Sequence, residues 1–80
     1  MIKIYASDIN ERYITYYKES RKDFKYLSID EEGEIFIYSK KPIIEGNRWR
    51  CGCSMEWAKL KGLFLTPHWK DSLLEIEIDD

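Results

Sequence analysis

The sequence has few of the side chains that bind metals or act as nucleophiles, with two cysteines and one histidine among its 80 residues. A structural zinc site needs four ligands, which usually come from Cys-x-x-Cys pairs. Here Cys51 and Cys53 are separated by a single glycine, and His68 is the only obvious third ligand. We therefore expect the two cysteines to be small packed side chains, and we predict no metal site.

Catalytic motifs are also missing. The sequence has no glycine-rich phosphate-binding loop, no Ser-His-Asp set and no His-Glu metal motif. A cysteine nucleophile would need a histidine base, but capping and exposure explain the position of His68 at a predicted helix start. The carboxylates are concentrated in one turn (Asp30, Glu31 and Glu32) and in residues 71–80, where contact with solvent accounts for them. We predict that the protein is not an enzyme, has no catalytic residues and uses no cofactor.

Long apolar segments are absent. A transmembrane helix needs about 20 consecutive, mostly apolar residues, and no run in this sequence approaches that length. Met1–Tyr5 leads directly into polar sequence, which is not the pattern of a signal peptide. Two cysteines one residue apart do not form a disulfide framework, which favours a reducing compartment. We expect one domain over residues 1–80, located in the cytoplasm and without a membrane partner.

Aromatic residues, by contrast, are plentiful: three tryptophans, six tyrosines and three phenylalanines. Each can bury roughly 150–250 Å² of surface, which offsets the small core expected of such a short chain. A domain of this size often gains stability from a partner or from a second copy of itself. A homodimer is therefore one expectation.

The centre of the sequence predicts a β-hairpin. Two runs rich in β-branched and aromatic residues, Phe24–Asp30 and Glu34–Lys40, flank a polar turn that contains Gly33. We expect Gly33 to take the left-handed conformation, which a residue without Cβ tolerates. Both strands carry apolar side chains on both faces, so each face needs a cover. One cover could be the N-terminal helix described next, and the other a second copy or a ligand.

The N-terminal segment predicts a strand and a helix. Ile2–Tyr5 alternates in the manner of a strand. Over residues 8–20 we predict a helix, because Ile9, Tyr13 and Tyr16 would share one helical face together with Tyr17. Against this prediction, the same segment is poor in helix-forming residues and rich in strand-forming ones. In either conformation we expect the tyrosines to be a packed face.

The C-terminal half predicts further strands and one short helical turn. Pro42 should end the second hairpin strand near Lys40, because proline has no amide proton to give to a neighbouring strand. The predicted elements that follow are a third strand at Arg48–Cys53, a fourth at Leu63–Leu65, a helical turn at His68–Leu74 that buries Trp69 and Leu73, and an edge strand at Leu74–Ile78. The resulting fold class is α+β: a small antiparallel sheet of four to five strands with an N-terminal helix and a short C-terminal helical turn.

The net charge of −2 conceals a separation of charge along the chain. Residues 39–61 contain six basic and two acidic side chains, a balance of +4, whereas residues 71–80 contain five acidic side chains and no basic one. One interpretation is ordinary surface charge with both signs interspersed. The other is a basic face that meets an anion or an acidic partner.

The predicted binding site is built around two arginines. In a strand, Trp49 and Arg48 point to opposite faces, so an inward Trp49 places Arg48 and Arg50 side by side on the outside. Their guanidinium groups suit phosphate or carboxylate, and nearby aromatic rings could stack on a base or fill a pocket on a partner. The full predicted set is Arg48, Arg50, Tyr38, Trp57, Trp69, Lys40 and Lys41. The alternative is that the arginines pair with carboxylates such as Glu34 and that the tryptophans belong to the core.

A combination of short motifs resembles a group of small bacteriophage and prophage accessory proteins. The motifs are an Asp-x-x-Gly hairpin within Tyr26–Tyr38, Lys41-Pro42, the isolated Trp49, and a closing Trp-x-x-Ser-Leu at Trp69–Leu73. The resemblance covers about residues 24–76. It implies a small phage protein that acts in the cytoplasm of a bacterial host, and proteins of that class include inhibitors of host defence.

Two hypotheses for function follow. The first is a non-enzymatic protein that binds and blocks a host protein, as an anti-CRISPR-like inhibitor of bacterial defence does. The second is a module that sequesters a cyclic or ADP-ribose-type signalling nucleotide, with arginines on the phosphates and an aromatic ring on the base. We do not expect nucleic acid as a partner, because the acidic C-terminal segment would repel it.

Overall fold

Eight β-strands account for most of the regular structure in residues 1–14, 24–52 and 56–79, the residues that this computed structural model describes. The strands are β1 (Ile2–Tyr5), β2 (Ile9–Asn10), β3 (Tyr26–Ile29), β4 (Glu34–Tyr38), β5 (Ile43–Glu45), β6 (Arg48–Arg50), β7 (Trp57–Leu63) and β8 (Leu74–Asp79). Helical geometry within these ranges is limited to three short 3-10 turns, at Ala6–Asp8, Glu11–Tyr13 and Trp69–Asp71. None of the described helical segments is long and apolar enough to cross a membrane.

Six of the strands form one curled sheet in the order β1-β8-β3-β4-β7-β2, while β5 and β6 form a separate hairpin. The pairing of β1 with β8 is parallel and the other strand pairs are antiparallel. β1 and β2 lie at opposite edges of the sheet, yet only Ala6–Asp8 connects them. Consecutive Cα atoms are about 3.8 Å apart, so the sheet must curl until its two edges approach each other. The result is a half-barrel.

The core fills the inside of this half-barrel. Because side chains alternate along a strand, each of the six strands directs an aliphatic residue inward. Ile37 on β4 and Ala58 on β7 are 0% exposed, and Ile9 on β2 is 1% exposed. The buried cluster consists of Ile4, Ile9, Phe24, Leu27, Ile37, Ala58, Leu60, Ile76 and Ile78.

The prediction of an α+β fold is wrong, since the described chain is nearly all β. Within the predicted helix, Ile9–Asn10 is a strand that pairs with β7, and Glu11–Tyr13 is a 3-10 turn. The strand propensity of the β-branched and aromatic residues there outweighs the helical spacing of Ile9 and Tyr13. Ile9 is buried against Leu60 of the sheet instead. Residues 15–20 of the predicted helix lie outside the described residues.

The central hairpin is confirmed, whereas later strands differ from their predicted bounds. β3 and β4 pair antiparallel around a turn in which Gly33 has a φ of 85°. The predicted third strand belongs to the separate β5–β6 hairpin and ends at Arg50. Of the predicted fourth strand, Leu63–Leu65, only Leu63 lies in a strand, as the last residue of β7, which begins at Trp57. Phe64 and Leu65 follow the strand. β8 is not an edge strand, because it lies between β1 and β3.

The predicted C-terminal helical turn is a single 3-10 turn at Trp69–Asp71. It buries Trp69, as expected, while Leu73 is half-buried. Within the described residues, no N-terminal helix covers either face of the central strands. The inner face is closed by the curl of the sheet itself, and the outer face carries the β5–β6 hairpin and this 3-10 turn.

Candidate functional site

The outer face of the sheet carries a row of aromatic side chains. Register places Tyr38 opposite Trp57 and Phe36 opposite Lys59 on strands β4 and β7. The rings of Phe36 and Trp57 meet edge to face with centroids 5.9 Å apart, and Tyr13 approaches Trp57 at 6.5 Å. The amino group of Lys59 lies 5.0 Å above the ring of Tyr13. These contacts make one continuous aromatic surface on the side of the sheet away from the core.

The β5–β6 hairpin is fastened to this face through Trp49. β8 pairs with β3 only at Tyr26 and Leu27, so the backbone of Ile29 lacks a strand partner on that side. The indole Nε1 of Trp49 donates to the carbonyl oxygen of Ile29 at 3.0 Å, and the Oγ of Ser72 accepts from the Ile29 amide at 2.8 Å. Buried backbone groups need such partners. Trp49 therefore faces the sheet, and Arg48 and Arg50 are exposed.

Between the hairpin and the sheet lies a groove of about 470 Å³. Its floor is formed by Phe36, Tyr38 and Trp57, and one wall by Asn47, Arg48, Trp49 and Cys51 of the hairpin and the residue that follows it. The other wall is the acidic turn that joins β3 to β4, with Asp30, Glu31 and Glu32. We call this concavity the aromatic groove. It combines flat apolar surface with charged groups of both signs.

The acidic turn is held together by hydrogen bonds to its first residue, Asp30. One carboxylate oxygen of Asp30, Oδ1, accepts from the amides of Glu32 and Glu34, both at 2.9 Å. The Asp30 carbonyl accepts from the Gly33 amide at 3.0 Å. Asp30 is thus engaged in the turn itself, whereas Glu31 and Glu32 project into solvent.

Tyr38 has a structural part in the floor of the groove. It is 4% exposed, and its hydroxyl is 2.9 Å from the Oγ of Ser28, which is fully buried. Burial raises the pKa of Tyr38 to about 12, despite the hydrogen bond from Ser28, which lowers it. The hydroxyl therefore stays protonated well into the alkaline range.

The structure brings together three of the seven predicted binding residues, since Arg48, Tyr38 and Trp57 all line the aromatic groove. Arg50 lies next to it and forms an ion pair with Glu45, at 3.5 Å. The other three residues do not line the groove. Trp69 is 8% exposed and has Lys70 at 5.5 Å above its ring, and Lys40 and Lys41 are exposed on the loop after β4.

One exposed feature was not anticipated as a binding surface. Leu63, Phe64 and Leu65 are 65%, 59% and 75% exposed, and we call these three residues the apolar strip. The sequence signal for it was present, because three consecutive apolar residues do not alternate as a half-buried strand does. The strip touches the acidic turn, where the Phe64 amide donates to the Gly33 carbonyl at 2.8 Å.

The described residues contain no cluster of three or more histidine, cysteine, aspartate or glutamate side chains placed to hold a metal ion. The expectation of packed cysteines is wrong for Cys51, which is a free, exposed thiol at the wall of the groove, while Cys53 lies outside the described residues. Comparisons of the chain with protein-family models, with curated proteins and with solved structures found no match. The resemblance to phage accessory proteins therefore stays a prediction.

Proposed function

We propose that this protein is a non-enzymatic binder of another protein, which it contacts through the apolar strip and the aromatic groove. The observation that carries the proposal is the exposure of three consecutive large apolar residues, Leu63–Leu65. Contiguous apolar surface beside polar groups is typical of protein interaction sites. The core already buries Ile37 and Ala58 completely. The stability of the fold therefore does not require Leu63–Leu65 to be exposed to water.

The aromatic groove supports the same proposal. Tryptophan, tyrosine and arginine are the residues that contribute most often to binding energy at protein interfaces. Trp49 and Trp57 are half-buried, so part of each ring is already fixed by the fold while another part stays accessible. Arg48 is exposed at the wall and forms no ion pair within the described residues. The two half-buried indole rings, which the fold already holds in place, lose little entropy when a partner binds.

The resemblance to phage accessory proteins suggests the kind of target. On that basis the partner is a host protein, and the effect of binding is to block a component of bacterial defence, in the manner of an anti-CRISPR protein. This part of the proposal rests on the sequence motifs alone. The aromatic groove and the apolar strip are compatible with it because they need no cofactor and no catalytic group.

Site-specific photo-crosslinking in bacterial cells tests the proposal. A photoreactive phenylalanine at position 64 should form an adduct with one dominant protein, and the purified pair should form a stoichiometric complex. The same probe at Glu77, exposed on β8, serves as the control position. Phe64→Ser should abolish the complex, whereas Leu74→Ser, which changes a residue that is 42% exposed elsewhere on the sheet, should retain it. Equal labelling from positions 64 and 77 would contradict the proposal.

A second candidate function, nucleotide sequestration, is favoured by one observation: Arg48, Tyr38 and Trp57 meet in one groove. An arginine can bind phosphate and an aromatic ring can stack on a base. Glu31 and Glu32 in the same groove weigh against an anionic ligand. If the nucleotide hypothesis holds, a cyclic dinucleotide or ADP-ribose should raise Tm. Arg48→Gln should then remove the rise, and Arg50→Gln, outside the groove, should leave it intact.

A further inference from the structure

The apolar strip and the acidic turn form one structural unit. Besides the hydrogen bond from Phe64 to Gly33, Leu63 pairs with Glu34 at the end of the sheet. A Cβ atom on Gly33 would lie 3.0 Å from Cδ2 of Leu65 and 3.2 Å from its backbone nitrogen, so the two segments are in close contact. A partner that covers the strip must therefore also come close to the carboxylates on the tip of the turn.

Those carboxylates have no countercharge among the residues that the structure describes. Glu31 and Glu32 are exposed, and neither forms an ion pair with any residue that the structure describes. Arg48 shares the groove with them but does not come within ion-pair distance. Bringing a carboxylate into an interface without a countercharge costs free energy, because the group loses water and gains nothing in return. A partner that fits this surface has to supply positive charge.

From this juxtaposition we infer that the partner offers an apolar cleft with lysine or arginine side chains at its rim. The cleft receives the apolar strip, and the basic rim pairs with Glu31 and Glu32. The inference rests on the proposed function and names the chemistry of the surface that the protein binds. In this arrangement Glu31 and Glu32 also contribute to specificity, because they would repel a partner whose surface is acidic.

Two other occupants fit the same surface less well. An anionic membrane would attract the apolar strip but repel Glu31 and Glu32, which project beside it. A second copy that docked by the same strip in a symmetric dimer would bring two further carboxylates to the interface. Charge complementarity therefore favours a basic, apolar protein surface.

Two matched peptides provide the probe. One is a short amphipathic helix with leucine on one face and lysine along its flanks, and the other has glutamate in place of every lysine. By fluorescence anisotropy at low salt, the lysine peptide should bind roughly fivefold more tightly, as expected if each of two exposed ion pairs contributes about 0.5 kcal/mol. Phe64→Ser should weaken both peptides, and the Glu31→Lys, Glu32→Lys double variant should reverse the preference.

A charge-matched variant controls for unspecific attraction. Glu75 and Glu77 are exposed on β8, and replacing both by lysine changes the net charge from −2 to +2, the same change as in the turn variant. This control should keep the preference for the lysine peptide. Reversal of the preference in the control as well would show that net charge alone decides it, and would overturn the inference.

The remaining outcomes separate the inference from the proposed function. Equal affinity for the two peptides with dependence on Phe64 would overturn the inference and leave the proposed function standing. Failure of both peptides to bind would count against both. Sedimentation of the protein with vesicles of anionic phospholipid, or a dimer in sedimentation velocity that Phe64→Ser dissociates, would overturn the inference in favour of a membrane or a second copy.

Discussion

The two faces of the curled sheet differ in composition and in role. The inner face is aliphatic and closed to solvent, whereas the outer face is aromatic and polar and remains partly open. On β4 the two roles alternate residue by residue: Ile37 is completely buried in the core, while the neighbouring Phe36 lies in the aromatic groove. Because successive side chains point to opposite faces, the same short strands supply both the buried core and the surface that we propose binds a partner.

One pair of residues departs from this division. Ser28 and Tyr38 lie on the outer face, yet both are buried, and their hydroxyl groups bind each other. They lie beneath the part of the face that the β5–β6 hairpin and the 3-10 turn cover. The outer face is therefore a second, smaller layer of packing, with the aromatic groove at its open end.

The largest effect is expected from a change in the inner face. Ile37→Ala should lower the free energy of unfolding by about 3 kcal/mol, because a buried side chain is replaced by a cavity. Ile43→Ala, at a position that is 62% exposed on β5, should change it by less than about 0.5 kcal/mol. Urea unfolding followed by tryptophan fluorescence measures both values. A tolerated Ile37→Ala would show that the half-barrel interior is not the main source of stability.

The contact between the acidic turn and the apolar strip should be the next most sensitive point. Gly33→Ala should cost about 2 kcal/mol or more, because a positive φ disfavours alanine by roughly 1–2 kcal/mol and the new Cβ would press on Leu65. Gly46→Ala, at a φ of 64° with nothing within 4 Å of the new Cβ, carries the φ cost alone. The difference between the two variants measures how tightly the apolar strip is held. Equal losses would mean that the strip is free to move.

The sequence predicted those parts of the fold that depend on local signals. The β3–β4 hairpin follows from its turn residues and from the strand propensity on both sides, and β4 ends at Tyr38, shortly before Pro42. The prediction of an N-terminal helix was wrong because the helical spacing of the apolar residues competed with the strand propensity of the same segment. The long-range pairing of Ile9 with Leu60, which is invisible in the local pattern, decided in favour of the strand.

The candidate site was predictable in part, because the orientation of its side chains also depends on a local sequence signal. Alternation in β6 separates Trp49 from Arg48 and Arg50, and the structure shows Trp49 half-buried with both arginines exposed. The partner of Trp49 could not be predicted, because the carbonyl of Ile29 becomes available only where β8 diverges from β3. The backbone of Ile29 also gives two of the sequence motifs a structural reason. The isolated Trp49 donates to its carbonyl, and Ser72 of the Trp-x-x-Ser-Leu motif accepts from its amide.

The buried hydroxyl pair of the outer face provides the third prediction. Tyr38→Phe should cost about 1–2 kcal/mol, because it leaves the hydroxyl of Ser28 buried without its partner. Adding Ser28→Ala should recover part of that loss, since the unpaired polar group is then removed. Thermal unfolding of Tyr38→Phe, of the double variant and of the wild type measures these differences in stability. A double variant no more stable than Tyr38→Phe would mean that the two hydroxyls do not depend on each other.

Tyr38→Phe should also change how the stability of the protein depends on pH in the alkaline range. The pKa of Tyr38 is about 12 in the folded protein, against about 10 in an unfolded chain, so the folded state keeps its proton where the unfolded state loses it. Its contribution to stability is therefore complete below about pH 10 and disappears as the pH rises to about 12, by up to roughly 3 kcal/mol. Tyr38→Phe should flatten the wild-type loss of stability over this range. Parallel profiles of stability against pH for the wild type and Tyr38→Phe would contradict the raised pKa of Tyr38.

The smallest effects concern how the β5–β6 hairpin is held on the outer face. Trp49→Phe removes the indole donor to Ile29 and should cost about 1 kcal/mol. Arg50→Gln removes only the 3.5 Å ion pair with Glu45, whose side chains are 52% and 62% exposed, and should cost less than about 0.5 kcal/mol.

Binding separates the two variants further. If the aromatic groove depends on the docked indole, Trp49→Phe should also weaken the lysine peptide, whereas Arg50→Gln should leave its affinity unchanged. The reverse order, with Arg50→Gln the more damaging of the two, would mean that surface charge rather than the Trp49 hydrogen bond holds the hairpin in place. The outer face would then lack the fixed wall on which the groove depends.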